Sequence, residues 1–190
     1  MGQAAFRIGI VGVGRMGANM ARRLHDLKYQ VVAVYDTEAS RAETVANELG
    51  CKAVPTPAQV AELATTILTV VPDDAAMRHI YAPDKPDSLL QHATNRLFIN
   101  CATLSPALQI EIHALVEKQG GQSLEACMAS SIPQARQGTL YLMCAGRRDV
   151  FEHATPLLKD LSAHLRYIGP AGDAAKVKAL IVTRGGEGSQ

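Results

Sequence analysis

Three glycines and one carboxylate near the start of the chain have the types and spacing for nucleotide chemistry. The run Phe6-Arg-Ile-Gly-Ile-Val-Gly-Val-Gly-Arg-Met-Gly17 places Gly12, Gly14 and Gly17 in a G-x-G-x-x-G pattern, and Asp36 lies nineteen residues after Gly17. Such a turn brings backbone N–H groups against a pyrophosphate. Gly12 suits the tight exit from a strand. Gly14 leaves room for phosphate to reach the main chain. Gly17 lets the following helix lie close to the strand. A helix starting near Arg15 aims unpaired N–H groups at the anion. Asp36 stands where an acid meets ribose hydroxyls. The expected dinucleotide contacts in this region are Gly12, Val13, Gly14, Arg15, Met16, Gly17 and Asp36.

The elements needed to position these residues are visible around them. Residues 6–11 are apolar apart from Arg7, and Met16, Met20, Ala21 and Leu24 repeat at helical spacing. Gln30-Val-Val-Ala-Val-Tyr35 reads as a buried strand that delivers Asp36. Further along, the patterning predicts strands near 52–54, 66–71, 96–100, 123–126, 139–144 and 164–168. Helices are predicted near 15–27, 38–49, 57–63, 74–81, 106–117 and 149–160, with a last one beginning near 173. Residues 82–95 read as a loop. Alternation of this kind defines an α/β, doubly wound, Rossmann-like fold with a mostly parallel sheet covered on both faces.

Composition narrows the functional classes. The chain has 190 residues, enough to bury a sizeable core, and its 47% apolar and 19% charged content marks it as globular. Nineteen basic against eighteen acidic residues give no electrostatic reason to expect a nucleic acid or an anionic membrane as partner. No segment is long and apolar enough to span a bilayer, and no secretory pattern opens the chain. Cys51, Cys101, Cys127 and Cys144 are scattered without a C-x-x-C pair, so reduced thiols and a cytoplasmic protein are the expectation. The six histidines show no metal spacing, and no metal is expected.

Beyond the glycine turn, several stretches carry a resemblance. Gly9-Ile-Val-Gly-Val-Gly-Arg-Met-Gly-Ala-Asn-Met-Ala-Arg-Arg-Leu24 resembles the start of the β-hydroxyacid dehydrogenase family, which includes 3-hydroxyisobutyrate dehydrogenase, tartronate semialdehyde reductase and, more distantly, 6-phosphogluconate dehydrogenase. Thr69-Val-Val-Pro-Asp73 resembles that family's strand-end loop beside the cofactor and adds Val71 and Pro72. Asn100-Cys-Ala-Thr-Leu-Ser-Pro106 resembles its D-x-S-T-x-S-P motif and implies that Thr103 lies near the nicotinamide. Gly169-Pro-Ala-Gly-Asp-Ala-Ala-Lys-Val-Lys178 resembles the segment bearing the catalytic lysine. The resemblance runs from about residue 6 to residue 181. It implies an NAD-dependent oxidoreductase, with NADP less favoured, that acts on a small hydroxy acid.

This sequence also departs from the family pattern. Where the family's substrate loop reads D-A-P-V-S-G-G, this chain has Glu125-Ala-Cys-Met-Ala-Ser-Ser131, followed by Gly138-Thr-Leu140. The resemblance assigns the substrate carboxylate to this loop; Ala129 replaces the family's serine and Ser130 and Ser131 replace its two glycines, so Ser130 or Ser131 is expected to substitute as donor beside the backbone N–H groups of 129–131. Asn100 and Ala102 stand in place of an Asp and a Ser. Two lysines compete for proton transfer. An ungapped match favours Lys178, and a helical wheel sets it among Ala174, Ile181 and Val182; Lys176 borders Ala179 and Leu180. A desolvated lysine has a lowered pKa, which suits a proton shuttle near neutral pH.

The family's helical C-terminal domain has no counterpart in these residues. Residues 1–172 therefore read as a dinucleotide-binding domain, and 173–190 as the start of an interdomain helix running into a tail. Thr183-Arg-Gly-Gly-Glu-Gly-Ser-Gln190 is expected to stop that helix, because glycine costs about 1 kcal/mol per interior position. Impaired turnover, apolar surface and self-association into a homo-oligomer are expected to follow. The alternative is a dinucleotide-binding fragment or sensor without catalysis. A flavin-binding domain is a weaker third reading, since the segments around Thr103 and Lys178 argue against it.

Overall fold

A computed structural model describes the backbone of residues 6–185 and the side chains of residues 6–181. The chain alternates β1 (Arg7–Val11), α1 (Arg15–Asp26), β2 (Gln30–Tyr35), α2 (Ala39–Leu49), β3 (Lys52–Ala53), α3 (Pro57–Leu63), β4 (Thr66–Thr69), α4 (Asp74–Ile80), β5 (Leu97–Asn100), α5 (Pro106–Lys118), β6 (Gln122–Met128), α6 (Ile132–Gln137), β7 (Leu140–Gly146), α7 (Arg148–Leu161), β8 (Ser162–Gly169) and α8 (Asp173–Gly185). The strands form one sheet in the order β3-β2-β1-β4-β5-β6-β7-β8. All neighbours pair in parallel except β6 and β7.

The central strands β4 and β5 are buried along their whole length, because both faces of the sheet are covered. Ile8, Ile10, Met20, Leu24, Leu68 and Leu142 belong to the core on one face, while Ile67, Met77, Phe98 and Leu108 belong to the core on the other. Strand order reverses between β1 and β4. Their carboxyl ends therefore diverge into a crevice, the place where open α/β sheets take ligands.

Three expectations need correction. The segment after β6 contains a helix, α6, where only a loop was expected. Ser131 opens it: its backbone N–H and its hydroxyl both donate to Gln134 Oε1, at 2.7 and 3.0 Å. α6 then packs on α1, with Arg136 and Asp26 paired at 2.7 Å. The loop at 82–95 contains a single 3-10 turn, Leu89–His92, whose Leu90 N–H is held by Ser88 Oγ at 3.2 Å. Finally, the last helix passes Thr183 and is described as far as Gly185. The expected break at residues 186–190 lies outside the described residues.

Candidate functional site

The crevice holds a cavity of about 600 Å³ lined by Gly12, Gly14, Arg15, Met16, Gly17, Asp36, Val71 and Pro72, together with Met128 from β6. Eight of the ten expected cofactor residues thus meet in one place. Val13 lines the adjoining hollow between α1 and α2. Thr103 is not in the lining of either cavity; it is exposed on the loop between β5 and α5. That loop is fastened by Asp74, which accepts from Ser105 N at 2.9 Å and from Ser105 Oγ at 2.6 Å.

The turn fits a dinucleotide on three counts. A Cβ on Gly14 would meet no atom within 4 Å, so the space above that residue is open. No side chain caps α1, whose N-cap is Gly14, so its first N–H groups are left for a ligand. Asp36 is oriented from the backbone: Oδ2 accepts from Val13 N at 3.0 Å and Oδ1 from Glu38 N at 2.9 Å. Arg41 reaches within 3.8 Å of Asp36 Oδ1 and pairs with Glu38 at 2.8 Å. It lines the cavity as well.

The two lysines of α8 part company. Lys176 is exposed and pairs with Asp173 at 2.9 Å. Lys178 turns toward the sheet and donates to the Met128 carbonyl at 2.9 Å. Met128 also lines the crevice cavity, so one residue joins the lysine to it.

Both serines of the expected substrate loop take part in local hydrogen bonds. Ser130 Oγ accepts from Tyr141 N at 2.7 Å, and Ser131 opens α6. Ala129 N already donates to Tyr141 O at 3.1 Å, and Ser131 N to Gln134. The N–H groups of 129 and 131 therefore serve the ladder and the helix start. The hydrogen of Ser130 Oγ is the hydroxyl donor that the loop leaves in hand.

Two buried polar groups behind the crevice escaped the sequence. Asn100 Oδ1 accepts from Thr69 Oγ1 and from Tyr81 Oη, each at 2.9 Å, while its Nδ2 donates to Ser123 Oγ at 3.4 Å. This network stitches the ends of β4 and β5 to β6. Glu125 on β6 is 3% exposed and accepts from Gly172 N and Ala175 N at the start of α8. Burial pushes its carboxyl up to about 7, against the pull of those two N–H groups. The available signal was a lone acid inside the apolar run Leu124-Glu-Ala-Cys-Met128. All four cysteines are free. Burial lifts the Cys101 and Cys127 thiols to about 12, so neither offers a thiolate at neutral pH. No group of ligands suited to a metal occurs among the described residues.

The raised Glu125 value makes stability depend on pH. A folded value of about 7 lies above the ordinary 4.5, so the unfolded chain ionises first as pH rises. The stability tied to this carboxyl is whole below about 4.5, falls between 4.5 and 7, and is gone above 7, a change of about 3 kcal/mol. Urea midpoints of wild type and Glu125→Gln, compared below and above that window, are expected to show this loss in wild type only.

Comparison with known proteins agrees with this geometry. Residues 7–169 match the family model for the NAD binding domain of 6-phosphogluconate dehydrogenase, and the chain belongs to that family. Human mitochondrial 3-hydroxyisobutyrate dehydrogenase is 31% identical over 173 residues, which cover 90% of this chain and 50% of the human protein. The chain thus spans about half the length of the mammalian 3-hydroxyisobutyrate dehydrogenases it matches. The structure of Mycobacterium tuberculosis 3-hydroxyisobutyrate dehydrogenase with L-serine superposes with a TM-score of 0.83 at 26% identity, over 92% of this chain and 58% of that one. A Drosophila melanogaster protein described as the cytokine-like nuclear factor N-PAC is 26% identical over 92% of this chain and 29% of its own length. The fold is therefore that of an NAD-binding oxidoreductase domain, and no helix among the described residues is long and apolar enough to cross a membrane.

Proposed function

We propose that this chain binds NAD in the β1/β4 crevice and serves hydride transfer between NAD and a small hydroxy acid or its oxo acid. The observation that carries this reading is the continuity from Gly14 through the cavity to Met128, whose carbonyl holds Lys178. When bound, the nicotinamide supplies the carbon that takes or gives hydride. The pyrophosphate rests on the backbone of residues 12–17, Asp36 takes the ribose hydroxyls, and Val71 and Pro72 face the adenosine side. Thr103 approaches the nicotinamide on its fastened loop. Lys178 accepts the alcohol proton in oxidation and returns it in reduction. Ser130 and Ser131 mark the loop that receives the substrate carboxylate.

Turnover by these residues alone is slow in this reading. Lys178 must leave the Met128 carbonyl to reach a substrate, and the N–H groups of Ala129 and Ser131 must leave Tyr141 and Gln134. Catalytic groups displaced by about 1 Å forfeit roughly a hundredfold in rate. Exposed Ile110, Leu180 and Ile181 on α5 and α8 support self-association. The free cysteines support a reducing compartment such as the cytoplasm.

NAD is expected to bind at least about tenfold more tightly than NADP. Both Asp36 oxygens are already oriented by backbone donors, so a carboxylate faces the position of a 2′-phosphate. Loss of one charge-assisted bond, about 1.5–3 kcal/mol, accounts for that ratio. Arg41 is committed to Glu38, which limits its help to a phosphate. Calorimetric titration with the two dinucleotides decides the matter; equal or tighter NADP binding rules the preference out. An assay of NADH formation with small 3-hydroxy acids tests the activity. The likeness to a protein described as a nuclear factor favours a second reading, a dinucleotide-binding module without catalysis. NAD binding with no turnover, even in single-turnover assays, would select it.

A further inference from the structure

We propose that Glu125 is the residue that positions Lys178, acting from inside the sheet as the acceptor for the N-terminus of α8. The proposal deepens the dehydrogenase reading and rests on it for the role of the lysine. The first four N–H groups of an isolated helix lack internal partners, and a side chain next in sequence commonly supplies one. Here a carboxylate some fifty residues away does so. Glu125 Oε1 accepts from Gly172 N, and Oε2 accepts from Ala175 N at 3.1 Å. The two oxygens thus grip the entry turn and the first turn of α8 separately.

The same strand holds the helix a second time. Three residues beyond Glu125, the Met128 carbonyl accepts from Lys178 Nζ at 2.9 Å. Glu125 and Met128 on β6 therefore face Gly172–Ala175 and Lys178 on α8 as two fixed points. The first sets where the helix begins and its rotation about its axis; the second is where the amine then lies. A buried carboxylate is expensive to keep, and the two N–H groups recover part of its desolvation.

The titratable groups near Glu125 lie on each element around it. On α8, Asp173 raises its pKa and Lys176 lowers it. Cys127 on β6 and Cys144 on β7 lie within electrostatic reach. α5 packs on both β6 and α8 and carries His113 and Glu117, neither of which is among the groups that shift Glu125. Ionised, Glu125 accepts from both N–H groups. Protonated, one oxygen becomes a donor facing a donor, and the grip on α8 loosens even as the desolvation cost is relieved.

The test uses the full chain and needs no turnover. NMR follows the Glu125 carboxyl carbon and the Gly172 and Ala175 amides across neutral pH. Mass spectrometry counts acylation of Lys178 by a succinimidyl ester, relative to exposed Lys52 at the far edge of the sheet. The three resonances are expected to share a midpoint near 7, with relative Lys178 labelling faster below it. In Glu125→Gln, whose amide offers one acceptor and one clashing donor, relative labelling is expected to rise about fivefold, the opening that loss of a helix-start acceptor permits. A labelling ratio that is flat through the Glu125 midpoint in wild type overturns the proposal. So does an unchanged ratio in folded Glu125→Gln, and if that variant does not fold the wild-type pH series decides. Calorimetry on the same samples separates the two ideas: failure to bind NAD defeats the dehydrogenase reading and leaves the labelling result standing.

Discussion

Gly14→Val is expected to abolish dinucleotide binding while the domain stays folded, whereas Gly12→Val and Gly17→Val are expected to damage the fold itself. Gly12 has φ +93, and a Cβ there would sit inside the Val70 carbonyl oxygen. A Cβ on Gly17 would overlap the carbonyl oxygen of Gly12, so the helix could not lie against the turn. Neither neighbour is a side chain that can swing away. Gly14 is different. Its backbone, at φ −63 and ψ −167, suits an ordinary residue, and its Cβ position meets no atom within 4 Å. A valine there costs the fold little, yet it fills the space in which a pyrophosphate would rest and shields the N–H groups opening α1. The expected loss in affinity is at least about a hundredfold, since the phosphates would forfeit more than one charge-assisted bond. Circular dichroism and thermal unfolding should leave Gly14→Val close to wild type, and calorimetry should show no NAD heat. Normal binding by Gly14→Val would place the phosphate elsewhere and remove the basis for the cofactor assignment.

What could be read in advance was what depends on neighbours in sequence. The strand, turn, helix and acid from Phe6 to Asp36 are a local device, and each part limits the backbone of the next. The switch point followed from it, because parallel strands joined by helices leave one place where the order reverses. α6 was hidden because it is six residues long, contains Pro133 and has one buried residue, Ala135; no periodicity can register over so short a span. The antiparallel turn from β6 to β7 was hidden because the apolar content of a strand does not encode its direction. The local bonds of Ser130 and Ser131 were hidden because a sequence shows hydroxyls and not the Tyr141 N–H and Gln134 amide that meet them. Glu125 was visible as a letter, but its meaning came only when α8 was found to begin above it.

Replacing Lys178 by alanine is expected to lower hydride transfer by about two to four powers of ten while leaving NAD affinity within about twofold of wild type. The helical wheel left Lys178 and Lys176 undecided, and the contact with β6 separates them. Lys176 pairs with Asp173 in solvent, so Lys176→Ala should change neither quantity. Lys178 is part-buried, bonds to the carbonyl of a residue that lines the crevice, and lies close enough to Cys127 for its charge to act on that thiol. In the proposed reaction a proton acceptor is needed near this point, because oxidation of an alcohol releases the hydroxyl proton as hydride leaves carbon. Lys178→Arg provides the control for charge. Arginine keeps the cation but gives up no proton near neutral pH, so it should be nearly as impaired as alanine if proton transfer is the role. It should be nearly as active as wild type if the lysine only attracts an anion. Because slow turnover is expected from the chain alone, the comparison is made with protein in excess over NAD and saturating 3-hydroxy acid, so that a single round of NADH formation is visible. A measurable wild-type rate that Lys178→Ala leaves intact would transfer the proton to another group and remove α8 from the chemistry.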